Sequence, residues 1–316
     1  MRLVTYRRET DEEPRLGALD ATGRAVVDLA AVHARRSGAE VPGLATMQAL
    51  IEGGPGLLDV ARECVAGAAA DEVRELERVS LLAPLPVPAQ IRDCLCFEEH
   101  LTGAIRAFER AGQAVSPLTL SMLETFRRRP IWYKANRFAV VGPDTTVRWP
   151  KYSSVMDYEC EMAAVIGTRG RDVPRERAAS HVFGYTIFND LSARDTQAEM
   201  AGGLGPAKSK DFDGANVFGP WIVTADEFEP YGAAMRVYVN AEKRSEGNGR
   251  DMKYRFEDLI AFISDSETLH PGEILCSGTV GGGCGLELGR FLESGDVVEL
   301  EIEGIGRLRT KVVKDE

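Results

Sequence analysis

Two glutamates two residues apart, Glu159 and Glu161, stand at the head of DYECEMAAVIG (157–167), a run that otherwise reads as a buried strand. Alternate side chains of a β-strand share a face, so the two carboxylates lie close together. Like charges that close persist only if a lysine, an arginine or a metal ion lies between them, or if one carboxyl keeps a proton. A third carboxylate, Asp190, ends the apolar run VFGYTIFND. Taken alone it reads as an N-cap for the adjoining SARDTQAE. Counted with Glu159 and Glu161, it completes a set of hard oxygen donors suited to Mg²⁺, Mn²⁺ or Ca²⁺.

Lys210 comes twenty residues later, in KSKDFDGANVFGPWIV. Lysine is ordinarily a surface residue, but beside an acidic cation site Lys210 could stabilise a developing oxyanion, as could Arg194 or Gln197 of SARDTQ. In RDCLCFEEH (92–100), Asp93 sits in an extended segment and His100 closes the run. His100 reads either as an exposed surface group or as a base made stronger by Glu98 and Glu99.

The elements that must position these groups are mostly strands. RLVTY and AVVDL, then helical pieces from Met47 to Ile51 and Leu57 to Glu63 loosened by EGGPG, suggest a small leading domain, 1–78. The proline-rich VSLLAPLPVPAQ enters a second domain, 79–316. Leu101 to Arg129 alternates helical segments with GQAVSP and reads as a flap or a surface excursion. From Ala139 onward strand signals dominate, interrupted by a short helix at 175–179 and an amphipathic one at 256–264, where Phe256, Leu259, Ile260 and Ile263 share a face. The fold class is therefore α+β and β-rich, unlike an alternating βαβ chain.

A net charge of -11 argues against nucleic acid or an anionic membrane as partner, and no apolar run reaches the ~18 residues of a spanning helix. The start, MRLVTYRRETDEEP, lacks the apolar core of a signal peptide, so a cytoplasmic location is expected. The six cysteines show no CxxC and are expected to be reduced core thiols. With four histidines, a histidine-rich zinc site is not expected.

RDxxxFEEH, DYExEMAAVIG, FGYTIFNDLSARDTQ, KDFDGANVFGPWIV, SGTVGGGCGLELG and SGDVVELEIEGIGRLRTKV resemble, in order and spacing, the fumarylacetoacetate hydrolase family. The resemblance covers about Val79 to Val313, and the leading region looks like that family's small N-terminal domain. It implies a mixed β-sandwich roll after a small α+β domain, a divalent cation and a homodimer. Carried over by position, it implies Glu159, Glu161, Asp190 and Asp93 as metal ligands, His100 as water-activating base, and Lys210 with Gln197 as oxyanion-stabilising pair. Thr279 is similar to the family's substrate-carboxylate contact, Tyr133 to a substrate-facing tyrosine, and Arg194 to a motif arginine that also faces substrate. Glu287, in GLELG, would orient His100, with Glu98 and Glu99 as alternatives. The chain departs from the pattern at Leu95 and Glu109, where the fumarylacetoacetases proper have a substrate-binding tyrosine and an arginine.

The chemistry this implies is hydrolysis of a carbon–carbon bond in a β-diketone or acylpyruvate, a reaction of aromatic catabolism, with a cation polarising the carbonyl and His100 activating water. Because the same groups stabilise an enolate without water attack, decarboxylation of an oxaloacetate-type β-keto acid or isomerisation of a 2-hydroxydienoate is the alternative. A catalytically silent metal-binding scaffold is the third. Without metal, mutual repulsion should raise at least one carboxylate pKa.

Overall fold

The computed structural model describes residues 1–9, 11–112, 114–200 and 205–314. Strands β1 (Arg2–Arg7), β2 (Arg15–Leu19) and β3 (Ala25–Asp28) lead into helices α1 (Leu29–Ser37), α2 (Met47–Glu52) and α3 (Gly54–Ala66). The EGGPG stretch does not loosen the helices into a loop: Gly53 closes α2, and Gly54 and Pro55 open α3. Then come β4 (Val73–Glu75), β5 (Ser80–Leu81) and β6 (Gln90–Leu95), and the helices α4 (Glu98–Arg110) and α5 (Pro117–Arg128). The GQAVSP between those helices contains Gln113, which lies outside the described residues.

The second half continues with β7 (Ile131–Lys134), β8 (Val140–Val141), β9 (Thr146–Arg148), β10 (Met156–Asp157), β11 (Cys160–Ile166), α6 (Arg175–Ala178), β12 (Val182–Asp190), β13 (Ser192–Ala193) and α7 (Arg194–Glu199). It ends with β14 (Asn216–Thr224), β15 (Ala234–Val239), β16 (Glu242–Asn248), α8 (Phe256–Ser264), β17 (Glu273–Cys276), α9 (Gly285–Leu288), β18 (Val297–Ile302) and β19 (Gly306–Val313).

Among the described residues a 12-stranded sheet runs β4-β3-β2-β1-β14-β12-β11-β17-β6-β7, with β5 beside β1 and β8 beside β14. Strands from both sides of residue 78 thus share one hydrogen-bonded sheet, joined where Arg2 faces Val223. A second sheet, β16-β15-β18-β19-β9, closes over one face of the first.

Alternation along β11 divides the interior. Cys160, Met162, Ala164 and Ile166 join the core shared with α8 and the second sheet, while Ala163 and Val165 join the core covered by α1 and α2. Helix α8 forms because its apolar stripe is buried: Phe256, Leu259, Ile260 and Ile263 are each at most 2 % exposed. Burial of a side chain of that size contributes about 1.5–3 kcal/mol. All six cysteines are buried and unpaired. No helix among the described residues is long and apolar enough to cross a membrane.

A candidate metal centre and its histidine–glutamate dyad

The acidic groups converge because of strand register. Cys160 faces Asn189 across the β11–β12 pair, and the Asp190 amide donates to the Glu159 carbonyl, so Glu159 and Asp190 end up opposite one another. Glu161 lies two residues along β11 on the same face as Glu159. On the far side of β17, Asp93 of β6 is opposite both Cys276 and Tyr133. Carboxylate oxygens of Glu159, Glu161 and Asp190 lie within 4.8 Å of one another, and Asp93 and Glu161 form a second such group with Cys276. None of the four acids is more than 5 % exposed.

Lys210 is also buried, at the end of a single turn formed by Ala207–Ser209. Its Nζ donates to Glu159 Oε2 at 2.6 Å and to Asp190 Oδ2. The Tyr133 hydroxyl donates to the same Asp190 oxygen at 2.9 Å. Glu161 accepts from the Gly278 amide at 3.0 Å and, at 3.4 Å, from the Thr279 hydroxyl. Gly278 has φ 72°, and a Cβ there would lie 2.3 Å from the Cys94 carbonyl oxygen, so glycine is what lets this loop cross β6 closely enough to reach Glu161.

Burial is the larger reason that Glu161 and Asp93 hold protons above the usual carboxylate range. Repulsion adds to it, from Asp93, Asp190 and Glu159 on Glu161 and from Glu159 on Asp93. Asp190 moves the same way, through burial first and then the charges of Asp93 and Glu159, with Lys210 opposing. Burial acts upward on Glu159 too and is the largest single influence, but its positive neighbours, Lys210 first and then Arg194, pull the other way and the net movement of Glu159 is down. The rise expected from repulsion thus occurs, with desolvation as its main cause.

These residues fit a divalent cation. The donor set is four carboxylates, the hard oxygen chemistry of Mg²⁺, Mn²⁺ or Ca²⁺. Buried Asp93 Oδ1 and Asp190 Oδ1 find no hydrogen-bond partner among the described residues, a costly state for carboxylate oxygens.

Next to the acids stands a dyad. His100, in the first turn of α4, is 8 % exposed rather than on the surface, and its Nδ1 donates to Glu287 Oε1 at 2.7 Å. Glu287 Oε2 accepts from the Gly282 amide at 2.8 Å. The opposite ring nitrogen, Nε2, lies 3.9 Å from Glu159 Oε1 and so faces the acidic group. Glu98 and Glu99, the alternative partners, point elsewhere, Glu98 to Arg127 and Lys253 and Glu99 to Arg106. Helix α9, which carries Glu287, is tied to α4 by Arg110, whose Nη2 donates to the Glu287 carbonyl at 2.7 Å.

Residues 104–313 match the family described as fumarylacetoacetate (FAA) hydrolase, C-terminal. The chain belongs to the fumarylacetoacetate hydrolase family. It is 33% identical over 316 residues to a mitochondrial oxaloacetate tautomerase of Rattus norvegicus, covering 99% of this chain and 92% of that one. Among solved structures it resembles the fumarylacetoacetate hydrolase of Exiguobacterium antarcticum (27% identity, TM-score 0.74) and the maleylpyruvate hydrolase of Sphingobium sp. SYK-6 in complex with manganese(II) and pyruvate (26%, TM-score 0.74). Both matches cover 100% of each chain.

In this member of the fumarylacetoacetate hydrolase family, the expected site residues all gather around the acidic group, though not all in the contacts expected. Gln197 is held through Oε1 by Arg194 Nη1 at 2.8 Å, so its carbonyl oxygen is committed to the protein. Arg194 itself spends Nε on Asp157 Oδ2 at 2.8 Å and Nη2 on Glu159 Oε1 at 2.7 Å, so its donors go to protein groups. Leu95, at the departure from the family pattern, packs against Leu101, Leu123 and Phe126, and Glu109 is exposed. Sequence reasoning missed Asp157, fully buried at the head of the DYECE motif. Its signal was available: an aspartate two residues before a paired glutamate on a core strand shares their face and needs a partner as they do.

Proposed function

We propose that this chain is a divalent-metal-dependent enzyme of short 2-oxo acids, and that its reaction is keto–enol tautomerisation of oxaloacetate or a close analogue. The observation that carries this reading is the buried His100–Glu287 pair, which turns His100 Nε2 toward Glu159 at the carboxylate cluster. Likeness over almost the whole chain to an oxaloacetate tautomerase supports the substrate.

Glu159, Glu161, Asp190 and Asp93 would hold the cation, which supplies Lewis-acid polarisation of the 2-oxo group and charge balance for an enolate. Because Nδ1–H is donated to Glu287, the neutral imidazole presents a lone pair at Nε2. His100 takes the proton from carbon 3 of the keto acid, and Glu287 steadies the resulting imidazolium. Lys210 and the Gln197 amide donate toward the oxygen on carbon 2 as it gains charge. That oxygen takes a proton from solvent and the His100 imidazolium returns one to solvent, which completes the enol and restores the neutral imidazole. In the reverse direction His100 returns the proton to carbon 3. Thr279 and Tyr133 border the same space and would position the substrate. We assign Arg194 to holding Glu159 and Gln197 in place, and with Lys210 it offsets part of the four carboxylate charges.

Hydrolysis of an acylpyruvate is the second reading. It is favoured by the same dyad, which can activate water as readily as it can take a carbon-bound proton, and by the likeness to a maleylpyruvate hydrolase. We further propose that residues 1–78 are a small leading domain whose strands extend the main sheet of the second domain, 79–316, together with a cytoplasmic setting and homodimer assembly, the last read by light scattering.

The test is to strip the protein of metal, restore Mg²⁺, Mn²⁺ or Ca²⁺ singly, and follow oxaloacetate and a set of acylpyruvates by ultraviolet absorbance with mass analysis of products. Accelerated enol–keto exchange without a change of mass is the expected outcome. Release of pyruvate with a carboxylic acid would move the second reading to first place, and loss of carbon dioxide would replace both with decarboxylation. Silence with every compound would leave only the metal-binding scaffold.

A further inference from the structure

We propose that Asp157 is a positioning residue that sets the dyad and the acidic cluster in register with one another, an inference that rests on the reading of His100 as the proton-transfer base. Asp157 ends the two-residue strand β10, which pairs with β13 immediately before α7. It is fully buried, and both its oxygens are engaged on two sides. On one side Oδ1 accepts from the Gly285 amide at 2.7 Å and Oδ2 from the Leu286 amide at 2.9 Å, the first two residues of α9. On the other side Oδ2 accepts from Arg194 Nε at 2.8 Å.

Each contact leads directly to a working group. From Gly285 and Leu286 the path is one or two residues to Glu287, whose Oε1 takes the His100 Nδ1 proton. From Arg194 it is one hydrogen bond to Glu159 Oε1 through Nη2 and one to Gln197 Oε1 through Nη1. One carboxylate thus holds the backbone bearing the dyad acid and the guanidinium bearing down on a cluster glutamate. Space is closely fitted as well, since a Cβ on Gly285 would lie 2.5 Å from Asp157 Oδ1. The ion pair alone would be a structural feature. What makes Asp157 a positioning residue is that its two sets of partners belong to the two halves whose separation fixes where His100 Nε2 points.

Asparagine at 157 preserves shape but places an N–H₂ against donors: whichever oxygen is replaced, an amide N–H of α9 or the Arg194 Nε–H loses its acceptor. The probe is the proton on His100 Nδ1, observed in protein labelled with nitrogen-15 histidine in the presence of Mg²⁺ and assigned by its loss in His100→Ala. In Asp157→Asn this resonance is expected to move or vanish, and kcat for oxaloacetate tautomerisation to fall about tenfold to a hundredfold with KM changed far less. Asp157→Glu, which keeps the charge one methylene further out, should retain a displaced resonance and part of kcat. If the asparagine variant does not fold, the glutamate variant is read alone. A resonance at its wild-type position in the folded variant, with kcat unchanged, would overturn the proposal. If the wild-type protein turns over no substrate, the reaction assignment fails by itself, and the resonance still decides whether Asp157 positions the dyad.

Discussion

His100 and Glu287 are 187 residues apart in the chain and 2.7 Å apart in the fold, with the outer ring nitrogen of His100 turned toward Glu159. The pair is assembled by two short contacts between helices, α4 bringing the imidazole and α9 the carboxylate, with Arg110 joining them. A buried imidazole whose inner nitrogen is committed to a carboxylate is a base with one free end, and here that end faces the acids.

Replacing His100 with alanine should lower kcat about 10²–10⁴-fold, the usual contribution of a general base. Glu287→Gln should cost about 10–100-fold, and the double variant no more than His100→Ala alone, because the glutamate acts only through the histidine. Steady-state kinetics of the three variants check this; an additive double variant would mean that Glu287 has a separate role.

Gly103→Ala offers a sharper separation of stability from activity. In a helix alanine is ordinarily favoured over glycine by about 0.5–1 kcal/mol. A Cβ at 103, however, would lie 2.3 Å from Glu287 Oε2. A glutamate end can move aside, so the variant should fold with a Tm near that of wild type while Glu287 leaves His100 and kcat falls. Thermal unfolding and kinetics on one preparation give both readouts.

Much of this site was legible in the sequence, and its gaps have physical causes. The Glu159–Glu161 spacing and the apolar stripe of α8 were readable because strand and helix periodicity are local. The partner of His100 was harder, since Glu98 and Glu99 are its neighbours in sequence. On a helix, residues one and two apart do not face each other, so proximity in sequence pointed away from the true contact. Asp157 escaped notice because its partners, Arg194 and the α9 amides, meet it only after β10 and β13 pair.

Metal affinity should rise with pH. Glu161, Asp93 and Asp190 have folded-state pKa values above the usual carboxylate range, so without metal their contribution to stability is present at low pH and lost as pH rises through those raised values. Glu159 has the opposite sign: its contribution is present above the ordinary carboxylate pKa of about 4.3 and lost as pH falls through its lowered value. Binding Mg²⁺ or Mn²⁺ must expel the retained protons. Calorimetric titration in buffers of different ionisation enthalpy should therefore show net proton release at neutral pH or below, and Glu161→Gln should weaken binding and reduce that release.

Lys210→Met should destabilise the metal-free protein by about 3–5 kcal/mol, because Glu159 and Asp190 would be left as buried acids without their shared cation. Added Mg²⁺ should recover part of the loss by mass action, so the rise in Tm on adding metal should be larger in the variant than in wild type. Equal shifts would mean that Lys210 and the cation do not act on the same carboxylates.

The decisive quantity is the rate at which the enol absorbance of oxaloacetate decays, taken with and without Mg²⁺ for the wild-type chain and for His100→Ala. Acceleration over buffer that needs both the metal and His100 is the expected result. A rate equal to buffer under every condition, or one that His100→Ala leaves intact, would contradict tautomerisation by a metal-assisted His100 base.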